Sequence, residues 1–109
     1  MENTFTEYDK TFEELSLTVT VYANGNKVYR NNKGEIYRRF GPAIIYHDGY
    51  LVWAINGQYH REDGPARLWP NGDQEWWLNG RRHRVGGPAV IRLGWDDEWW
   101  INGEQINGC

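Results

Sequence analysis

The chain has 109 residues, 39 % of them hydrophobic and 25 % charged, with a formal net charge of −3. That is room for one small domain and excludes a disordered tail; no apolar run approaches the roughly 18 residues of a membrane-spanning helix. The single cysteine, Cys109, offers neither a disulfide framework nor a thiolate metal cage, and the acidic balance argues against indiscriminate nucleic-acid binding through bulk charge.

Residues 1–16 stand outside the pattern that follows. Thr4-Phe5-Thr6-Glu7 has the spacing of a capping box, and Phe5, Tyr8, Phe12 and Leu15 fall near one helical face. The reading is a capping segment with a short amphipathic helix over one end or face of a sheet, against the alternative of an extended acidic tail. The segment lacks the basic and apolar regions of a signal peptide, which fits a cytoplasmic protein. Residues 17–109 form the second unit. It opens with Leu17–Ala23, the turn Asn24-Gly25-Asn26 and Lys27–Arg30, a β-hairpin by composition.

From Lys33 onward the chain repeats. Asn56-Gly57-Gln58-Tyr59-His60-Arg61-Glu62-Asp63-Gly64-Pro65-Ala66 returns 23 residues later as Asn79-Gly80-Arg81-Arg82-His83-Arg84-Val85-Gly86-Gly87-Pro88-Ala89. A worn copy precedes it at Lys33–Ala43 and a truncated one begins at Asn102-Gly103. Trp53, Trp76 and Trp99 keep the same step. A period of this length marks a repeat architecture. Asp48-Gly49 and Asn71-Gly72 read as two-residue type I′ turns, with Leu93-Gly94-Trp95-Asp96 departing from that pattern. The stretch from Asn-Gly to Gly-Pro-Ala reads as a loop of about ten residues, because Pro lacks a donor and ends the preceding continuation. The expectation is an all-β fold: about eight strands in one meandering antiparallel sheet.

The form W-x-x-N-G-x-x-H-R-x-x-G-P-A, carried by Trp53–Ala66 and Trp76–Ala89, resembles MORN-like repeats of phage, bacterial and giant-virus proteins. MORN repeats are tandem β-hairpins in an elongated twisted sheet. Arg61 and Arg84 stand where the usual MORN form has Gly. The resemblance implies a scaffold, dimerisation module or membrane-surface adaptor and no catalytic activity.

No position carries chemistry in phase. His60 and His83 invite a metal reading, but equivalent residues in successive hairpins are roughly 9.6 Å apart at about 4.8 Å per strand, and no acidic or thiol partner repeats beside them. Asp96-Asp97-Glu98 reads as a solvated turn before a cation site. His60, His83, Gly57, Gly80, Pro65, Pro88, Trp53, Trp76 and Trp99 are therefore assigned to the repeat's structure, with each His bonded to its own loop. Neither cofactor, metal nor enzymatic activity is expected.

With two-residue turns, Trp53 and Ile55 share a face with Ile44 and Tyr46, and Trp76 and Leu78 with Trp69. Trp99 and Ile101 then lie with Val90. Ala43, Ile45, Val52, Trp77 and Trp100 lie opposite, with the equivalents of the first two. Both faces are thus partly apolar. Either a strong twist lets the sheet wrap its own Trp row, or the surplus marks an interaction site. Charge divides as −4 over residues 1–17, +5 over 18–92 and −4 over 93–109. Arg38, Arg39, Arg61, Arg81, Arg82 and Arg84 are assigned to the long loops at one edge, where they bind carboxylates or phosphates or pair with acids of their own loops. With Trp69, Trp77, Trp95 and Trp100 they form the candidate binding set.

The favoured function is a non-enzymatic protein-binding module: a small phage-encoded inhibitor of a bacterial host or defence protein that occludes a surface, with a homodimer as a further possibility. The alternative is a binder of an anionic small molecule or nucleic acid through the arginine edge. Membrane-surface docking comes third and membrane insertion is not expected, since the acidic ends oppose it.

Overall fold

Dipeptides ending in glycine bend the chain twice in every repeat, and the computed structural model, which describes residues 3–8 and 16–106, shows two different bends. At Asn56-Gly57 both residues have positive φ, 51° and 78°, and Asn79-Gly80 (52° and 77°) and Asn102-Gly103 (49° and 80°) repeat it. These are the two-residue type I′ turns, and Asn tolerates the left-handed region better than other side chains. At Asp48-Gly49 only the glycine is left-handed, with φ of 98°. There the Gly49 N–H reaches the Tyr46 carbonyl at 3.0 Å and the Tyr46 N–H the Tyr50 carbonyl at 2.9 Å. That is a three-residue turn closed by a glycine bulge, repeated at Asn71-Gly72.

The expected two-residue turns at 48–49 and 71–72 are therefore corrected to three-residue ones. The stretch expected as a loop holds a hairpin. Fourteen strands are present among the described residues: β1 (Asn3–Tyr8), β2 (Ser16–Val21), β3 (Lys27–Arg30), β4 (Ile44–Ile45), β5 (Leu51–Val52), β6 (Ala54–Ile55), β7 (Gln58–Tyr59), β8 (Arg67–Leu68), β9 (Gln74–Glu75), β10 (Trp77–Leu78), β11 (Arg81–Arg82), β12 (Val90–Ile91), β13 (Trp99–Ile101) and β14 (Glu104–Ile106). Eight of them form the expected antiparallel sheet, in the order β1-β2-β3-β4-β5-β8-β9-β12. The other six pair as the hairpins β6-β7, β10-β11 and β13-β14. Each hairpin is tied to the preceding repeat: the N–H groups of Gly57, Gly80 and Gly103 reach the carbonyls of Ile36, Tyr59 and Arg82 at 2.8, 2.9 and 2.8 Å. The fold is all-β. It is a plate of 47 × 32 × 18 Å with a radius of gyration of 15.1 Å, above the roughly 13 Å of a compact chain of this length.

No helix occurs among the described residues, and the helix expected over 1–16 is a strand where it is described. Residues 3–8 pair with β2 through six consecutive positions, from Asn3 opposite Val21 to Tyr8 opposite Ser16. The β-branched run of β2 favours an extended partner, and β1 covers an edge that would otherwise expose Leu17 and Val19, which are 2 % and 0 % exposed. The part of that expectation over 9–15 lies outside the described residues.

The three-residue turn also reverses the faces. Ile44 stands opposite Val52 and Ile45 opposite Leu51, and directly opposed residues share a face. One unbroken row runs Val28, Ile44, Val52, Arg67, Glu75, Val90, Glu98 across the sheet. Trp53 therefore lies with Ala43 and Ile45, not with Ile44 and Tyr46. Loops 38–42, 61–65 and 84–88 fold over the Trp53 side, and the fully buried Ala43, Ala66 and Ala89 lie on it. At its N-terminal end Leu17, Val19, Tyr29 and Tyr37 cluster, with Ile45 and Ile55 against them. One face is thus covered by the chain's own loops. The opposite, open face carries none of these loops, and its central residues Val28, Val52, Glu75 and Val90 are buried.

Candidate functional site

On the loop-covered face, each repeat builds the same latch. Arg38, Arg61 and Arg84 lay their guanidinium carbons 3.9 Å from the ring centres of Tyr29, Trp53 and Trp76. Each also donates from Nη1 to the carbonyl of Pro42, Pro65 or Pro88, at 3.3, 3.1 and 3.1 Å. The glycine before that proline gives the guanidinium its space. A Cβ on Gly64 would come within 2.6 Å of Arg61 Cζ, and one on Gly87 within 2.7 Å of Arg84 Cζ. Arg61 Nε further holds Asp63 at 3.1 Å. These arginines sit on the rings of Tyr29, Trp53 and Trp76, in the long loops to which the sequence reading assigns them. Arg38, Arg39 and Arg61 meet in an open groove of about 930 Å³ with Phe40, Trp53 and Asp63. Arg39 and Phe40 are exposed there.

The histidines tie one repeat to the next. Nδ1 of His60 accepts the Asn79 N–H, and Nδ1 of His83 the Asn102 N–H, both at 3.0 Å. The acceptor role assigns the proton to Nε2. The bond therefore leaves the histidine's own loop, contrary to the sequence reading, and helps hold Asn79 and Asn102 in their left-handed conformation. No group of three or more His, Cys, Asp or Glu side chains is placed to share a metal ion among the described residues.

The open face carries a continuous array of aromatic rings and guanidinium groups. Tyr46, Tyr50 and Trp69 stack with ring centres 4.9 and 4.8 Å apart. Arg67 fills the centre, 4.7 Å from Trp69 and 4.9 Å from Tyr59. Its Nε donates to the Tyr50 hydroxyl at 2.7 Å and its Nη1 to Glu75 at 3.0 Å. Tyr59 meets Trp77 edge to face at 5.1 Å. Arg82 lies between Trp77 and Trp100, 5.4 and 5.0 Å from their centres. Trp77, Arg81, Arg82 and Trp100 line a shallow cleft of about 440 Å³.

Glu75 anchors this array. It is 3 % exposed and occupies the position that Val52 fills one repeat earlier and Glu98 one repeat later. Its carboxylate accepts from Arg67, from Trp77 Nε1 at 3.0 Å and from Arg92 Nη2 at 2.9 Å, with Arg82 Nη2 at 4.0 Å. Burial pushes its carboxyl upward. The Trp77 and Arg92 hydrogen bonds and the Arg67 and Arg82 charges outweigh that and hold it below the ordinary carboxylate value. Burial likewise opposes the Arg67 charge, but the Tyr50 hydrogen bond and the Glu75 carboxylate raise its value. Tyr50 is raised by burial, against the opposing influence of Arg67. Glu98 repeats the device in part, accepting from Trp100 Nε1 at 2.9 Å with Arg92 at 3.7 Å. Arg82 Nε is buried without an acceptor among the described residues.

Of the ten residues the sequence singles out for binding, the open face gathers Trp69, Trp77, Trp100 and Arg82, while Arg81 stands opposite Leu78 and so faces the other side of its hairpin. Arg38, Arg61 and Arg84 belong to the latches. Arg39 lies in the groove beside them. Trp95 stands apart on the turn between β12 and β13, 74 % exposed. Sequence reasoning missed Tyr50, Tyr59, Arg67, Glu75 and Arg92. The usable signal was the Val52–Glu75–Glu98 column, where a carboxylate replaces an apolar residue in phase. No protein-family model, curated protein or solved structure matches the chain.

Proposed function

We propose that this chain is a non-enzymatic protein-binding module that acts by covering part of a partner's surface, with the open Tyr–Trp–Arg face as its contact. The observation that carries this is the pre-ordered array Tyr46–Tyr50–Trp69–Arg67–Tyr59–Trp77–Arg82–Trp100. Tyr, Trp and Arg are the residues in which binding hot spots are richest, and rings already stacked lose little conformational freedom on contact. The competing anion-binding reading loses support because Arg38, Arg61, Arg67, Arg84 and Arg92 each already give at least one donor to an acceptor inside the fold. The reading of the repeats as MORN-like belongs to the same proposal, supported by the hairpins that recur in phase with the 23-residue step. So does the narrower role of a cytoplasmic, phage-encoded inhibitor of a bacterial protein. No helix of the described residues is long and apolar enough to cross a membrane.

The test is capture of partners from bacterial lysate by the intact protein and by a Trp69→Ala/Trp100→Ala variant of unchanged circular dichroism. The proposal expects a protein retained by the former, resistant to raised salt, and lost by the latter. Capture of nucleic acid that weakens steeply with salt overturns it in favour of the anion reading.

A further inference from the structure

One guanidinium on the open face is held firmly but bonded to nothing. Arg82 stands opposite Trp77 on the β10–β11 hairpin, and the rings of Trp77 and Trp100 flank it at 5.4 and 5.0 Å. Its side chain is 28 % exposed between them. The other two arginines of the array are engaged: Arg67 donates to Tyr50 and Glu75, and Arg92 to Glu75. The Arg82 guanidinium makes no hydrogen bond among the described residues. Its Nη2 lies 4.0 Å from a Glu75 oxygen, and its Nε is buried with no acceptor. Such a group carries the cost of lost hydration without a bond in return. Nor does the hairpin need a cation there, since the uncharged Tyr59 fills the same place one repeat earlier and meets Trp77 edge to face.

Charge selects the occupant. Arg67, Arg82 and Arg92 gather on Glu75, and Glu98 adds a carboxylate beside Arg92. Three cations against two carboxylates leave one positive charge, and it falls to Arg82 because the other two are bonded. A single surplus charge suits a monoanion; a phosphate dianion would also meet the repulsion of Glu75 and Glu98. The two indoles keep water from the sides of the guanidinium, where a forked pair with a carboxylate is strongest. The cleft beside it is shallow, about 440 Å³, and takes a side chain that projects from another surface.

We propose that Arg82 is the anchor of the open face and receives an aspartate or glutamate side chain of the partner protein between Trp77 and Trp100. This rests on the reading of that face as the contact and names the group it meets. The experiment is an NMR titration of the whole protein with acetyl-Leu-Asp-Leu-amide, with the asparagine and phosphoserine peptides run beside it. The aspartate peptide is expected to shift the Arg82 Nε–H and the Trp77 and Trp100 indole signals. The asparagine peptide binds about tenfold more weakly, the scale of a hydrogen bond to a charged group, and the phosphoserine peptide no more tightly than aspartate. Arg82→Gln of unchanged circular dichroism removes the preference, while Arg39→Gln, which takes the same charge from the other face, retains it. Equal binding of the aspartate and asparagine peptides, tighter binding of phosphoserine, or shifts that avoid Arg82 at millimolar peptide overturns the proposal. A partner captured from lysate is expected to bind Arg82→Gln about thirtyfold more weakly, the lower end for breaking a buried charge pair. Full affinity in Arg82→Gln, with loss in Trp69→Ala/Trp100→Ala, overturns the carboxylate anchor and leaves the contact face standing. Aspartate-selective binding at Arg82 with no protein captured upholds the anchor and overturns the contact reading.

Discussion

The guanidinium of Arg61 lies 3.9 Å from the centre of the Trp53 ring, and the bare backbone of Gly64 closes its other side. This sandwich explains why Trp, Arg and Gly-Pro keep one phase through the repeat: each is needed for the other two to fit. Gly64 has an ordinary backbone conformation there, so its requirement is one of space. Gly64→Ala is expected to cost about 1–3 kcal/mol, the range for overpacking a filled site. In an Arg61→Ala background the same change is expected to cost well under 1 kcal/mol, as positions sharing one contact couple. Urea unfolding of the four proteins measures both values; additive costs would show that the glycine is needed for something else.

The two kinds of turn respond differently to the same substitution. Asn56 has a φ of 51°, a region in which a β-branched side chain is strained. Asn56→Val is expected to destabilise by about 1–2 kcal/mol. Asp48 has no positive φ, so Asp48→Val loses only its side-chain bond to the Tyr50 N–H and is expected to cost about half as much. Thermal melts of the two variants give the order.

Glu75 makes stability depend on acid. Its native carboxyl value lies below the ordinary one, so its contribution is complete above the unfolded value of about 4.3 and disappears as pH falls through the native value. Wild-type protein is therefore expected to lose stability below about pH 4 with a steeper slope than Glu75→Gln. At neutral pH the variant is expected to lose roughly 1.5–3 kcal/mol, the scale of a hydrogen bond to a charged group. Urea midpoints between pH 2.5 and 7 check both; parallel profiles would mean that Glu75 titrates alike in the two states.

Trp95 and Leu93 are 74 % and 78 % exposed on a turn that breaks the pattern of the two before it. Gly94, with φ of 82°, lies one place earlier than Gly49 and Gly72, and Trp95 donates to the Arg92 carbonyl at 3.1 Å. Leu93→Ser/Trp95→Ser is expected to change stability by less than about 0.5 kcal/mol. If this patch drives self-association, the variant lowers the apparent mass in concentrated solution, which sedimentation measures.

How far the sequence was legible follows from where its information was local. Asn56-Gly57 and its copies gave away the period, and the β-branched and aromatic runs between turns gave away an all-β sheet. Register was not legible, because Asp48-Gly49 is compatible with a two-residue or a three-residue turn, and one residue of difference moves Trp53 to the other face. Residues 3–8 have a helical capping pattern of their own, and their pairing with Ser16–Val21 overrides it. Glu75 looked like a surface acid; its burial depends on arginines 7, 8 and 17 positions away, which only the folded sheet brings together.

The central claim is that the open Tyr–Trp–Arg face, and not the loop-covered one, meets a partner. The seven tryptophans report on it directly, since their indole N–H signals can be followed by NMR as a captured partner is added. The account predicts that Trp69, Trp77 and Trp100 shift or broaden while Trp53 and Trp76, under Arg61 and Arg84, keep their positions. Shifts at Trp53 and Trp76 with Trp69, Trp77 and Trp100 unmoved would contradict it.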